Sequence, residues 1–225
     1  MPFYLPLPSL PLFPQLIDYI RLHALDVEGI FRVPASNSRI QSLKEELRKL
    51  YFSCPINNID NKSEVLHSFL FELLNQFNVF DVIAVFKQLI RELPEPLMSS
   101  GLQEVFLIIP SISSYRHKIE ILNLLILLLD RTSRVTLSEI LRLLEEISEN
   151  SELNKMNLSN IALIIAPNLF ISPITNEKHC KQIARTKSSC EVSKLLIFHN
   201  QILFNVPGWI ADSTMLNQPD HLNDF

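Results

Sequence analysis

The stretch Val27-Glu28-Gly29-Ile30-Phe31-Arg32-Val33-Pro34 is a short connection rich in helix-breaking residues. It lies between two segments, at about residues 14–23 and 36–50, in which apolar residues recur at helical spacing. Gly29 supplies backbone freedom inside the connection. The stretch therefore joins two helices and leaves Arg32 exposed, where an arginine is poor material for a core.

Outward from this connection, the helical period continues along the chain. Further helices are predicted at about 64–77, 81–91, 102–109, 117–129, 137–149, 158–166 and 191–204. A capping box formed by Thr136 and Glu139 marks one start, and Pro167 marks one end. Leu and Ile dominate, and there are only 3 glycines. The sequence therefore predicts an all-α fold, a single-domain helical bundle of about eight to nine helices.

The composition indicates one globular domain with two tails. The chain has 225 residues, of which 47% are hydrophobic and 20% charged, enough to bury a core. We expect a proline-rich strap at residues 1–11, the domain at 12–207 and a polar tail at 208–225. The apolar run at 119–129 is too short to cross a bilayer, so no transmembrane segment is expected.

Charge and cysteine content narrow the possible functions. A net charge of −4 argues against general nucleic-acid binding. Three scattered cysteines, Cys54, Cys180 and Cys190, indicate reduced thiols in a cytoplasmic protein. Two histidines, His179 and His199, flank the later pair, but the spacing matches no common zinc pattern, so no metal site is expected.

No self-contained catalytic constellation stands out in the sequence. It contains no phosphate-cradling glycine loop, no zinc-binding helix motif and no nucleophile elbow. The chain is therefore not expected to be an enzyme with its own active site. An exposed arginine is suited instead to assisting phosphate chemistry in another protein, because guanidinium is planar, permanently charged and multiply donating.

Four segments resemble, in order, the GTPase-activating domain of the Rho family, the RhoGAP or BCR-homology domain. The first is Glu28–Val33, similar to a Gly-Ile-Phe-Arg-Val motif, and the second is Asp81–Leu97, similar to a Lys-x-Phe-Leu-Arg-Glu-Leu-Pro-Glu-Pro-Leu motif. The third is Arg134 with the following helix. The fourth runs from Asn154-Lys155-Met156 through Asn160-Ile161-Ala162 to Ala166-Pro167-Asn168-Leu169. The resemblance spans about residues 12–205.

This resemblance implies a function and a set of site residues. Arg32 would be an arginine finger inserted into a GTP-bound Rho-family small GTPase of the Rho, Rac or Cdc42 type. Lys87 and Asn168 would contact the GTPase, and Arg91 would brace the finger loop through hydrogen bonds. The domain would act as a monomer without a cofactor of its own, since GTP and Mg²⁺ belong to the partner. The spacing agrees in part, because Lys87 and Arg91 share one helix face.

The sequence departs from the family pattern at four places. Pro34-Ala35 follows the finger where Ser-Gly is usual, and the proline fixes one dihedral of the loop. Phe80 replaces a common histidine, so a packing or hydrogen-bond role is lost there. Asp130 replaces a frequent proline and Ser133 a favoured asparagine, changes expected to affect stability more than activity.

Two other functions stay open at this stage. The altered loop could leave a GTPase-binding module that is catalytically weak or inactive but uses the same docking face. Alternatively, a helical scaffold could touch anionic lipid through a basic loop. The basic positions of that loop are Lys178, Lys181, Arg185 and Lys187.

Overall fold

A computed structural model describes residues 12–53, 62–170 and 179–208, and within these ranges it contains eleven α-helices and no strand. The helices are α1 (Leu12–Ala24), α2 (Asn37–Ser53), α3 (Lys62–Leu74), α4 (Val79–Arg91), α5 (Gln103–Ile108), α6 (Tyr115–Leu127), α7 (Arg131–Glu149), α8 (Ser151–Asn154), α9 (Leu158–Leu169), α10 (His179–Phe198) and α11 (Asn200–Leu203). The predicted all-α class is confirmed. The strap at 1–11, the tail beyond residue 208, Cys54 and Lys178 lie outside the described residues.

The helices α1, α4 and α9 form the centre of the core. α4 packs against α1, α2 and α9, so it connects the elements on both sides of the bundle. The side chains buried almost completely on these three helices include Leu16, Ile17, Ile20, Val82, Val85, Phe86, Ile161, Ala162 and Ile165. Burying each large one stabilises the fold by about 1.5–3 kcal/mol. The apolar residues of α4 recur at helical spacing, and this spacing determines which residues of α4 are left outside the core near α2 and α9.

Two short helices, α8 and α11, are absent from the sequence prediction. Each has four residues, which is about one turn and too short to produce a recognisable period. α11 follows α10 after a break at His199, whereas the sequence predicted one continuous helix over 191–204. At this break the Asn200 side chain donates to the Ile197 carbonyl at 2.7 Å, a local bond that competes with the helical pattern.

The start of α7 differs from the prediction. The capping box at Thr136 and Glu139 lies inside the helix, which begins at Arg131. The carboxylate of Asp130 accepts the backbone N–H of Ser133 at 2.9 Å and so serves as the N-cap. The predicted start of α7 lay too far along the chain, because the apolar stripe of this helix becomes visible only from Leu137 onward.

Replacing Asp130 with alanine is expected to lower the free energy of unfolding by about 1 kcal/mol near pH 7, the usual contribution of an N-cap. The Ser133 hydroxyl and then its backbone N–H lower the pKa of Asp130. A carboxyl with a lowered folded pKa contributes its stability fully above its unfolded pKa of about 4 and loses it as the pH falls through the folded value. Urea unfolding across pH should show the difference shrinking below about pH 4. Asp130→Asn is the control, because it keeps the acceptor but does not titrate; a difference constant down to about pH 2 would contradict this account.

The end of α9 also differs from the prediction, because the helix continues through Pro167 to Leu169. Proline has no N–H, so the carbonyl of Leu163 loses its helical donor. Both Leu163 and Pro167 are exposed, which allows water to satisfy that carbonyl. The proline therefore destabilises α9 only slightly at this position in the last turn, and Asn168 is part of the helix.

The polar segment before residue 191 is helical rather than a loop, so the prediction of a basic loop was wrong. α10 begins at His179 and packs along α9. Two small side chains on it, Ser189 and Ser193, are 6% and 0% exposed, so this helix is already packed against other elements before residue 191 is reached. Arg185 forms an ion pair with Glu104 and its side chain is 15% exposed. Across the described helices, none combines the length and the apolar content that a bilayer crossing requires.

Candidate functional site

The α1–α2 loop (residues 25–36) presents Arg32 on a tightly wound turn. Its backbone has positive φ angles at Gly29 (74°) and Phe31 (65°), and the N–H groups of Arg32 and Val33 both donate to the Gly29 carbonyl at 2.9 Å. The left-handed geometry at Phe31 costs about 1–2 kcal/mol for a residue with a Cβ atom. Burial of the Phe31 ring, which is 1% exposed and meets Phe86 edge-on, offsets this strain.

The buried residues of this turn determine where Arg32 lies. Ile30 and Phe31 face the core, so the next side chain leaves on the solvent side. The Arg32 side chain is exposed and has no hydrogen-bond or ion-pair partner among the described residues. Its Nη2 atom lies 3.7 Å from the position that a Cβ atom would take at Gly29. An unpaired guanidinium thus lies over the glycine that makes the turn.

Lys87 of α4 holds this loop in place. Its Nζ atom donates to the Phe31 carbonyl at 2.7 Å. Burial, and then the charge of Arg91, lower the pKa of Lys87 below its usual value. No carboxylate pairs with Lys87 among the described residues, so the only polar partner of this half-buried ammonium is a carbonyl of the loop. Lys87 therefore supports the loop directly.

The bracing contact that the resemblance implied for Arg91 is not formed in this structure. Arg91 is the last residue of α4 and is exposed, and its side chain makes no hydrogen bond or ion pair within the described ranges. The hydrogen bond to the loop comes instead from Lys87, one turn earlier on the same face. The two side chains share the face that their spacing predicted, but their bonding is the reverse of the expectation.

Asn168 is nearly buried. It lies within α9 rather than after it and is 5% exposed. Its Nδ2 atom donates to the Ile164 carbonyl at 2.7 Å, one turn back along the same helix. The amide is therefore held in a fixed orientation at the end of α9.

A cleft of about 410 Å³ brings these elements together. Its walls come from the α1–α2 loop, the first turns of α2, the solvent-facing side of α4 and the end of α9. The lining residues are Val33, Pro34, Ala35, Asn37, Ile40, Gln41, Ala84, Lys87, Gln88, Arg91, Ile164, Pro167 and Asn168. Two cations and no carboxylate line this cleft, and Arg32 lies immediately before its first lining residue. The surface therefore suits an anionic partner.

One motif of the sequence lies away from the cleft. Arg134 in α7 donates from Nη1 to the carbonyl of Leu127 at 3.1 Å. Leu127 is the last residue of α6, where carbonyls have no partner within the helix. The third motif thus joins two helices and does not supply a site residue. Within the described ranges, no group of three or more His, Cys, Asp or Glu side chains is placed to hold a metal ion.

Asn154 is a residue whose role the sequence did not reveal. It is completely buried, and its backbone carbonyl accepts the N–H of Gly29 at 2.8 Å. The sequence pattern included it in a motif but gave it no partner, because the two residues lie 125 positions apart. Only the packed bundle brings the end of α8 against the α1–α2 loop.

Known structures share this fold. The BH domain from GRAF, the GTPase regulator associated with focal adhesion kinase, matches with a TM-score of 0.67 and 19% identity, covering 86% of this chain and 93% of that one. Human Rho GTPase activating protein 15 matches with a TM-score of 0.70 and 20% identity, covering 87% of this chain and 83% of that one. These likenesses define the class as an all-α fold of the BH and RhoGAP type.

Sequence comparison then identifies the family. The RhoGAP domain family model matches residues 11–174, and the chain belongs to that family. Human Rho GTPase-activating protein 40 is 29% identical over 98% of this chain, and mouse Rho GTPase-activating protein 18 is 30% identical over 89% of it. The Drosophila melanogaster Rho GTPase-activating protein conundrum is 29% identical over 88%. The matched regions span about 28–30% of the length of these relatives.

Proposed function

We propose that this chain is a GTPase-activating domain that binds a GTP-loaded Rho-family small GTPase and inserts Arg32 into the partner's active site. Family membership and the names of the relatives support the activity. The observation that carries the mechanism is Arg32 itself, an exposed arginine without a partner among the described residues, beside a cationic cleft.

The chemistry requires charge stabilisation rather than a new nucleophile. GTP hydrolysis builds negative charge on the transferring phosphoryl group and on the leaving oxygen. An arginine supplied in trans stabilises that charge and accelerates hydrolysis by about 10³–10⁵-fold. The partner supplies GTP, Mg²⁺ and the attacking water, so the chain needs no cofactor and no active site of its own.

The cleft supports docking of the partner beside the finger. Lys87 orients the loop through the Phe31 carbonyl, while the unpaired Arg91 is available to an acidic side chain of the GTPase. Asn168 also lines the cleft, from the last turn of α9. Since no carboxylate lines the cleft, an approaching acidic surface meets attraction without local repulsion.

The proposal includes a monomeric domain in a reducing compartment. Cys180 is exposed, and neither it nor Cys190 forms a disulfide. Unpaired thiols are typical of cytoplasmic proteins. A cytoplasmic location also places the domain where GTP is available to its partner.

A binding module without catalytic power is the second candidate. The position of the Arg32 guanidinium favours it, since that group folds back over Gly29 rather than away from the loop. Pro34 stiffens the following residues. If the loop cannot release the guanidinium, the domain would bind the GTPase and leave its hydrolysis rate unchanged.

Single-turnover GTP hydrolysis by purified Rho-, Rac- and Cdc42-type GTPases tests the proposal. Increasing concentrations of the wild-type chain should accelerate at least one of them to a plateau, with a Ras-type GTPase as the negative control. Nucleotide-dependent binding without acceleration would support the second candidate. Neither binding nor acceleration with any member would contradict both.

A further inference from the structure

Asn154, fully buried at the end of α8, makes four hydrogen bonds in addition to the one from its own backbone N–H to the Asn150 carbonyl. Its Nδ2 atom donates to the carbonyls of Leu25 and Ile147, both at 2.7 Å. Its Oδ1 atom accepts the N–H of Met156 at 2.7 Å, and its backbone carbonyl accepts the N–H of Gly29 at 2.8 Å. One residue therefore bonds to the α1–α2 loop, to α7 and to the connection into α9.

These bonds hold the α1–α2 loop on the side away from the cleft. Apart from its bonds to the flanking helices α1 and α2, the backbone of the loop is attached to other elements through the Leu25 carbonyl, the Gly29 N–H and the Phe31 carbonyl. Asn154 makes the first two attachments and Lys87 makes the third. The Gly29 carbonyl in turn accepts the Arg32 N–H, so a rotation at Gly29 is transmitted to Arg32.

The other bonds of Asn154 tie the loop to α7 and to the connection that leads into the start of α9. The bond from Met156 closes a tight turn at Lys155, which has a φ angle of 60° and leads the chain toward α9. The bond to Ile147 attaches the same amide to the last turn of α7. The amide thus sets the distance between the start of the loop and the elements that lead into α9.

We propose that Asn154 is a positioning residue for Arg32, holding the α1–α2 loop so that the guanidinium reaches the transition state of the bound GTPase. This inference rests on the proposed function. Asn154 does not line the cleft, so it acts through the loop and not by touching the partner. Its removal should therefore weaken transition-state stabilisation more than docking.

Two binding affinities distinguish a positioning role of Asn154 from a role in the stability of the fold alone. The first is for the partner GTPase carrying a non-hydrolysable GTP analogue, and the second is for the GTPase carrying GDP with aluminium fluoride, which mimics the transition state. In Asn154→Ala the ratio of the second affinity to the first should fall by about tenfold or more. The first affinity should stay within about threefold of wild type, and the plateau rate should fall together with the ratio.

Asn123→Ala is a matched control for loss of a buried amide. Asn123 is 6% exposed, and its Nδ2 atom also donates to two carbonyls, those of Leu203 at 2.6 Å and Asn205 at 2.9 Å. It lies in α6 and does not line the cleft. Its removal should lower the melting temperature and leave the affinity ratio at the wild-type value.

Asn154→Ser is the second variant, since a short hydroxyl side chain can still accept the Met156 N–H but removes the amide donor. Asn154→Ala and Asn154→Ser are both measured below their melting temperatures, and the folded fraction is checked by circular dichroism. An unchanged ratio, or an equal fall in both affinities, would overturn the inference. Failure of both variants to fold would also overturn it, by assigning Asn154 to stability alone. A wild-type chain without any preference for the transition-state mimic would instead reject the proposed function.

Discussion

Arg32→Ala is expected to reduce the acceleration of GTP hydrolysis by about 10³–10⁵-fold, which brings the partner close to its intrinsic rate. Affinity for the GTP-bound partner should change by only a few fold, because Lys87, Arg91 and Asn168 still form the docking cleft. Stability should be unaffected, because Arg32 is exposed and has no partner within the described residues. Single-turnover rates at saturating domain concentration, with binding measured separately, give the two effects.

Two further variants make this test specific to the guanidinium. Arg32→Lys keeps the charge but loses the planar set of donors, so it should restore little of the rate. Arg116→Ala removes another exposed arginine, which pairs with Glu120 on α6, and it should behave as wild type. Full activity in Arg32→Ala would remove this residue from the mechanism and favour another source of acceleration.

Gly29→Ala is expected to reduce the acceleration by roughly 10²-fold, the loss that a displacement of about 1 Å can cause at a reacting centre. A Cβ atom at this position would lie 2.8 Å from Val33 Cγ2, too close for any real contact. The φ angle of 74° adds about 1–2 kcal/mol of strain for a residue with a side chain. The Val33 side chain or the loop must shift to relieve the contact, and we expect the strained φ angle to shift the loop and Arg32 with it.

Gly101→Ala is the control for this substitution, because no heavy atom lies within 4 Å of its Cβ position. Both variants are compared with wild type by urea unfolding and by single-turnover hydrolysis. Gly29→Ala should lose both stability and rate, whereas Gly101→Ala should lose neither. A Gly29→Ala protein with the wild-type rate would show that the turn does not control the position of Arg32.

Much of the fold was predictable because packed helices leave a periodic apolar pattern. The stripes of α1, α4 and α7 mark their buried faces, and each is read from neighbours three and four positions apart. The start of α10 was not predictable in this way. Its first residues are mostly polar and show no apolar stripe, and the helix to which they belong packs along α9. A local pattern cannot report such a contact.

The sequence predicted which residues lie together at the candidate site but not which of them form hydrogen bonds with the loop. Lys87 and Arg91 were placed on one face by their spacing, and the cleft contains both together with Asn168. Which of the two cations bonds to the loop depends on the distance between α4 and Phe31, a distance that no spacing encodes. Their contact with a GTPase stays a prediction.

The sequence by itself determined the helical class, the turn that exposes Arg32 and the family, because these follow from residue types, from periods of three and four, and from motifs of a few consecutive residues. Only the tertiary structure decided how the turn is held. The Gly29 N–H meets Asn154, and the Phe31 carbonyl meets Lys87, across separations of 125 and 56 positions. Such partners are chosen by the packing of whole helices, since each buried polar group must find a donor or acceptor wherever the folded chain places one.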